Sequence, residues 1–160
     1  MLSLLLIAGA VLANVAFVGL GAIFDYPDVL QRPAPEVLAA FHADPWRIGG
    51  LFLLLALGAG LLAPISLRMA RLVGPGRRAT ALAVTGVAAA AVQVVGLLRW
   101  PLVVPFLDSG DADLFRSLNT VLGQVIGESF GYALTAWLLL LAVDQGSLGR
   151  LKGYNRPKVP

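Results

Sequence analysis

A carboxyl group and a guanidinium interrupt the apolar second half of this chain. Glu128 lies within the apolar stretch from Val121 to Val143, and Arg99 directly follows the run from Ala79 to Leu98. An ionisable side chain in such a segment often marks a proton or cation pathway, and a carboxyl near an arginine also suits acid–base chemistry. A third interpretation is structural, because hydrogen-bonded polar groups between membrane helices commonly only fix the helix register.

The depth of these groups follows from the rise of 1.5 Å per residue along a helix. Gln93 and Glu128 come out at similar depth in the outer half of the membrane, with Arg99 and Gln124 in a shallower layer. Pairing with a long arginine would reduce the cost of a buried charge, which is about 3 kcal/mol on insertion scales. We therefore predict that Glu128 faces the bundle interior and pairs with Arg99, directly or through water. The whole predicted polar cluster is Gln93, Arg99, Arg116, Asn119, Gln124, Glu128 and Tyr132.

Two rows of residues recur every four positions around Glu128, and a helix places such rows side by side. One row consists of glycine, which lets another backbone come close, and the other carries polar groups. The glycine row is Gly123, Gly127 and Gly131, and the polar row is Arg116, Thr120, Gln124, Glu128 and Tyr132. This pattern predicts a membrane helix whose inward face combines close packing with a polar cluster.

The composition predicts an all-α membrane protein. Hydrophobic residues make up 58% of the chain and charged residues 13%, with a mean hydropathy of +0.83, whereas soluble domains are about 25% charged. Four apolar runs reach the length of about 20 residues that crosses a bilayer. We predict one four-helix transmembrane domain over residues 1–148, with spans at about 2–24, 46–69, 79–99 and 117–143, followed by a basic cytoplasmic tail at 149–160.

The distribution of charge predicts the orientation of this bundle. Arginine and lysine are concentrated between the second and third spans and after the fourth, while the two other loops carry most of the acidic residues. The positive-inside rule then places both termini in the cytoplasm. Because the basic residues flank membrane spans and do not cluster on one soluble face, we expect membrane lipid and not nucleic acid as a partner.

The first outer loop is too apolar to be a simple linker. Pro35 and Glu36 suit the first turn of a short interfacial helix, and Asp44 suits the N-cap of the second span. We interpret His42 as an interfacial polar residue in preference to a proton-handling one. The chain has no cysteine and no second histidine, so we predict neither a metal site nor a cofactor. The loop residues that we consider for a site are Asp25, Tyr26, Asp28 and His42.

Three sequence elements resemble a known family. They are FDYPD at residues 24–28, LLRWPLVVP at 97–105 and GESFGY at 127–132. The resemblance is to an uncharacterised family of bacterial multi-span integral membrane proteins, classed as a domain of unknown function, and this chain looks like a shortened, four-span member. It implies a multi-span helical fold in a bacterial cytoplasmic membrane and brings no catalytic or ligand assignment.

These observations predict a small non-enzymatic membrane protein, an accessory or assembly subunit with an outward-facing polar pocket around Glu128 and Arg99. The small-residue faces exceed what four helices need, which favours a homo-oligomer or a larger membrane complex. An alternative is a proton- or cation-coupled transporter or channel in which Glu128 titrates. An intramembrane enzyme is the least favoured alternative, because the predicted cluster offers no nucleophile beside a base.

Overall fold

The computed structural model describes the backbone of residues 2–154 and the side chains of residues 2–143. Over that range the chain is all-helical and contains four helices long and apolar enough to cross a membrane, which confirms the predicted class. These helices cover Leu2–Phe24, Pro45–Val73, Arg77–Phe106 and Ser109–Val143. The predicted basic tail at 149–160 lies outside the residues whose side chains are described.

Seven α-helices and one π-helical segment make up most of the described chain. The first span is α1 (Leu2–Phe24), the second joins α3 (Pro45–Gly60) to α4 (Leu62–Val73), and the third is α5 (Arg77–Leu102). The fourth joins α6 (Ala112–Leu118), a π segment (Asn119–Phe130) and α7 (Gly131–Tyr154), while α2 (Ala34–Ala43) lies in the first loop. Short 3₁₀ turns occupy Asp28–Gln31, Val104–Phe106 and Ser109–Asp111.

The fourth span differs from the uninterrupted α-helix expected from the sequence. Its π segment forms backbone hydrogen bonds from residue i to residue i+5, so each turn is wider than an α-helical turn. The Ser129 hydroxyl follows the same spacing and donates to the Gln124 carbonyl at 2.8 Å. The residue count per turn changes here, but the four-residue row of Gly123, Gly127 and Gly131 still faces α5.

The spans pack in chain order and leave one side of the bundle open. Helix α1 packs on α3, α3 on α5, and α5 on both the π segment and α7, whereas α1 and the fourth span make at most marginal contact.

We call the end of the bundle that carries residues 25–44 and 107–111 the capped end. His42 Nε2 donates to the Leu107 carbonyl at 2.7 Å and so links these two loops.

Aromatic packing closes the capped end. Trp100 is fully buried and stacks on Phe52, with ring centroids 4.6 Å apart and an interplanar angle of 5°. Three further rings surround this pair, namely Phe24, Phe41 and Phe115. Aromatic pairs at such separations stabilise a core beyond the area that they bury.

Helix α2 contributes its apolar face to this core. Val37, Leu38 and Phe41 are each no more than 1% exposed, so this face contacts protein and not lipid. The placement of α2 along a membrane surface stays a prediction. The Asp44 carboxylate accepts a hydrogen bond from the Arg47 amide at 3.4 Å, which confirms Asp44 as the N-cap of the second span.

Candidate functional site: a cleft between the first and fourth spans

A cleft with a volume of about 350 Å³ lies where α1 and the fourth span face each other. Most of its lining is apolar, and its polar groups come from the first loop, α5 and the fourth span. The apolar lining is Leu6, Gly9, Ala10, Ala13, Phe17, Leu55, Gly58, Ala59, Leu62, Ile65, Gly96, Leu97, Gly123 and Gly127. The polar lining is Tyr26, Gln93, Arg99, Glu128 and Tyr132. Such a lining, apolar with a few convergent polar groups, is typical of small-molecule sites.

Glycine lets the π segment approach α5 closely enough to build the floor of this cleft. A Cβ atom on Gly96 would lie 2.8 Å from the Gly127 Cα and 2.8 Å from the Leu122 carbonyl oxygen. Real Cβ atoms do not come that close to backbone atoms, so neither helix could hold this position with a larger residue at Gly96. Two further glycines make room for polar side chains of α5: Gly123 faces Arg99, and Gly131 faces Gln93.

The Arg99 guanidinium is directed to neutral partners. Nη2 donates to Asn119 Oδ1 at 2.8 Å, and Nη1 donates to the Gly96 carbonyl of its own helix. The guanidinium carbon also lies 5.3 Å from the centre of the Trp100 ring, within the range of a cation–π contact. Arg99 is only 5% exposed, so these contacts hold a nearly completely buried charge.

The predicted direct ion pair between Arg99 and Glu128 is therefore wrong. Within residues 2–143, Glu128 has no ion pair and no hydrogen bond, although its side chain lines the cleft. The reason is local: the guanidinium occupies the space that Gly123 leaves, about one turn closer to the capped end than Glu128. A water-mediated link between the two charges stays a prediction.

A short chain of hydrogen bonds fixes Gln93 on the wall of the cleft. The Thr135 hydroxyl donates to the Gly131 carbonyl at 2.7 Å, and Gln93 Nε2 donates to the Thr135 oxygen at 3.0 Å. Because the threonine proton is already used, Gln93 must present its NH₂ group to Thr135. Its carbonyl oxygen has no hydrogen-bond partner within residues 2–143 and can accept a bond from a ligand.

The structure brings together only part of the predicted cluster. Gln93, Arg99, Glu128 and Tyr132 line the cleft, and Asn119 supports it through Arg99. Gln124 is exposed outside the cleft, and Arg116 is an exposed residue paired with Asp113 at 2.8 Å, so placing these two in the cluster was wrong.

The loop residues are divided in the same way. Tyr26 lines the cleft, whereas Asp25 pairs with Arg32 on the surface. Asp28 is an exposed residue at the start of a 3₁₀ turn, and His42 links the two loops of the capped end. None of these three residues lines the cleft. Of the four first-loop residues considered for a site, only Tyr26 does.

Of the residues at this site that sequence reasoning missed, two had a signal in the sequence. Thr135 continues the glycine row by one further step of four residues, and Gly96 lies three residues from both Gln93 and Arg99. Phe17 had no comparable signal on its uniformly apolar helix. Within residues 2–143 no three metal-ligating side chains come together.

The Tyr26 hydroxyl is a protonated group at the polar end of the cleft. Burial raises the pKa of Tyr26 to about 12; the nearby Arg99 charge lowers this pKa and Glu128 raises it, each by less than burial does. The phenol therefore keeps its proton at neutral pH and can donate a hydrogen bond to a group in the cleft.

Removal of the Asn119 side chain should destabilise the bundle. In Asn119→Ala the buried Nη2 group of Arg99 loses its partner, and leaving a buried donor unsatisfied costs about 1–3 kcal/mol. We expect the free energy of unfolding, measured by denaturant titration in micelles, to fall by about 2 kcal/mol. The exposed Gln124→Ala serves as the control and should stay within about 0.5 kcal/mol of the unchanged protein. Equal effects of both substitutions would contradict the assigned role of Asn119.

Comparison with known proteins identifies a family and little else. The family model described as "Domain of unknown function (DUF4386)" matches residues 1–145. No curated protein and no solved structure matches the chain.

Proposed function

This chain belongs to the DUF4386 family of domains of unknown function, and we propose that it is a non-enzymatic integral membrane protein that binds a small amphiphile. The ligand site is the cleft between the first and fourth spans. The observation that carries the proposal is the cleft itself, about 350 Å³ of mostly apolar space with polar groups gathered on one part of its wall. This volume lies within the range of about 300–1,000 Å³ that is usual for small-molecule sites.

The size of the cleft favours a slender molecule over a partner helix. A spanning helix about 10 Å wide and 30 Å long occupies roughly 2,400 Å³, far more than the space between α1 and the fourth span. A single hydrocarbon chain needs only a narrow apolar groove. The small residues Gly9, Ala13 and Gly58, where α1 packs closely on α3, form part of the wall of such a groove.

The lining also suggests how such a molecule is oriented. Tyr26 and Phe17 lie near the capped end, whereas Leu6, Leu62 and Ile65 line the cleft toward the opposite end of the bundle. An amphiphile with its head near Tyr26 and Glu128 would therefore extend its chain toward Leu6. A polar head at the capped end and an apolar chain in the membrane interior match the environment of each part.

We place the protein in a bacterial cytoplasmic membrane with both termini inside. Support comes from Arg68, Arg71, Arg77 and Arg78, which flank the turn opposite the capped end, as the positive-inside rule requires of a cytoplasmic loop. The capped end, and with it the polar part of the cleft, then faces outward. In this setting the protein acts as an accessory ligand-binding subunit, and association with a second copy or a larger complex uses its other helix faces.

A photoreactive alkanol tests this proposal directly. We expect dodecanol with a diazirine at the far end of its chain to label the cleft of the protein in lipid nanodiscs, with adducts on peptides that contain Leu6, Leu62 or Ile65. Ala10→Phe should reduce this labelling at least fivefold, because Ala10 lines the cleft and the ring would fill its apolar part. The readout is the labelling yield per peptide by mass spectrometry.

The control for this experiment is Ala8→Phe. Ala8 is also exposed on α1 but does not line the cleft, so the same substitution there should leave labelling unchanged. Labelling spread evenly over lipid-facing residues, or equal loss in both variants, would refute the binding function.

Cation-coupled transport through Glu128 stays the second candidate, because this carboxyl faces the cleft without a partner among the described residues.

A further inference from the structure

The polar groups that line the cleft differ in the hydrogen-bond donors and acceptors that they leave available to a ligand. Glu128 is half-buried and forms no hydrogen bond or ion pair within the described residues 2–143. A carboxylate that is partly withdrawn from water without a partner is costly, and a positive or hydrogen-donating group would relieve that cost. The most available polar group of the cleft is therefore an acceptor with a negative charge.

Gln93 adds a second acceptor to the same wall. Its NH₂ group is bound to Thr135, whose own proton goes to the Gly131 carbonyl. Among residues 2–143 no partner is found for the amide oxygen of Gln93, while the side chain is held in place by Thr135. Gln93 and Glu128 thus both line the cleft with oxygen atoms that accept hydrogen bonds.

Arg99 carries the positive charge of the site, but few of its hydrogen-bond donors are accessible to a ligand. Its two terminal nitrogens are bound to Asn119 and to the Gly96 carbonyl, and the Trp100 ring lies beside the guanidinium. Nη1 and Nη2 each keep one further N–H, and Nε has no partner among the described residues and no solvent-accessible surface. An anionic head group would thus find donors on the Tyr26 hydroxyl and on an Arg99 side chain that is only 5% exposed, and it would meet the charge of Glu128.

Aromatic rings complete the polar end. Phe17 and Tyr26 line the cleft with ring centroids 5.7 Å apart, and Tyr132 lines it from the fourth span. Rings of this kind attract cations, and their contribution rises when the cation is shielded from water. A carboxylate, an amide oxygen and aromatic rings around one cavity are complementary to an ammonium group.

We propose that the amphiphile bound in this cleft carries an ammonium head group, which pairs with Glu128 while its hydrocarbon chain occupies the apolar groove along α1. This inference rests on the proposed function and adds the chemical class of the ligand. The Gln93 oxygen accepts a second hydrogen bond from the head group, and Arg99 keeps its hydrogen bonds to Asn119 and the Gly96 carbonyl.

Three probes that differ only in their head groups test the ligand class. Dodecylamine, dodecanol and dodecanoic acid, each with a diazirine at the chain end, are photolysed with the protein in nanodiscs of neutral lipid. We expect the amine to label the cleft peptides about tenfold more strongly than the alcohol, the ratio produced by a difference of about 1.4 kcal/mol. The acid should label them least.

Substitutions of Glu128 test whether this carboxylate binds the ammonium head group. Glu128→Gln should reduce labelling by the amine to the level of the alcohol while labelling by the alcohol stays unchanged, which also shows that the cleft remains folded. Glu128→Asp keeps the charge and should keep most of the preference for the amine. Glu36→Gln removes an exposed carboxylate of α2 and is the matched control, with no expected change.

The outcomes separate the two proposals. Equal labelling by amine and alcohol, strongest labelling by the acid, or an amine preference that survives in Glu128→Gln would overturn the ammonium assignment and leave the binding function standing. If no probe labels the cleft above the lipid-facing background, the binding function itself fails.

Discussion

Replacing Gly96 with alanine is expected to lower the free energy of unfolding by about 2–3 kcal/mol, the upper part of the range for an overpacked interior. The added methyl group would lie 2.8 Å from two backbone atoms, the Gly127 Cα and the Leu122 carbonyl oxygen. A backbone atom cannot rotate away as a side chain can. Helix α5 and the π segment must therefore move apart, which also weakens the hydrogen bonds of Arg99 and Gln93 across this interface.

Gly50→Ala is the matched control for this prediction. Gly50 also lies in the interior of a membrane-spanning helix, but a Cβ atom there would meet nothing within 4 Å. Denaturant titration in micelles should show little change for Gly50→Ala, or a small stabilisation, because alanine is the better helix former. If both alanine variants unfold like the unchanged protein, the close approach of α5 and the π segment is not a feature of the folded state.

Trp100→Ala should have the largest effect of any single substitution proposed for this protein, about 3–5 kcal/mol. The indole is fully buried, stacks on Phe52 and touches the rings of Phe24, Phe41 and Phe115. Its removal would leave a large cavity where α2, α3, α5 and α6 meet. The Arg99 guanidinium would lose its aromatic neighbour at the same time.

Trp46→Ala provides the control, because Trp46 is 90% exposed and truncating it leaves no cavity. Thermal unfolding followed by near-ultraviolet circular dichroism should show a large fall in the midpoint for Trp100→Ala and a much smaller one for Trp46→Ala. Similar falls for the two variants would mean that Trp100 does not organise the capped end.

The positions of the spans followed from local properties of the chain. Runs of apolar residues predicted four membrane-spanning helices, and these lie close to the observed ones. Such a prediction succeeds because transfer into a membrane depends on the composition of each segment and only weakly on its neighbours. Asp44 as an N-cap was predictable for the same reason, since capping involves residues only a few positions apart.

The partners of the polar residues could not be obtained in this way. Counting depth along the helices correctly selected Arg99 and Glu128 as residues of one site, but it wrongly predicted an ion pair between them. Arg99 instead donates a hydrogen bond to Asn119 and occupies the space left by Gly123. Depth along a helix does not give the rotation of that helix. Nor does it show which of two residues four positions apart is exposed: Gln124 is exposed, whereas Glu128 lines the cleft.

Composition and hydrophobic pattern thus specify a four-span helical membrane protein and identify most of the polar residues that line or support the cleft. Only the packed structure decides that α1 and the fourth span stay apart and that α2 turns its apolar face to the protein. It also decides that Arg99 bonds to Asn119, whereas Glu128 has no hydrogen-bond or ion-pair partner among residues 2–143. The physical reason is that insertion energies add up residue by residue along a segment. The choice of contacts depends instead on steric fit between helices far apart in sequence, such as the backbone contact of Gly96 with Gly127.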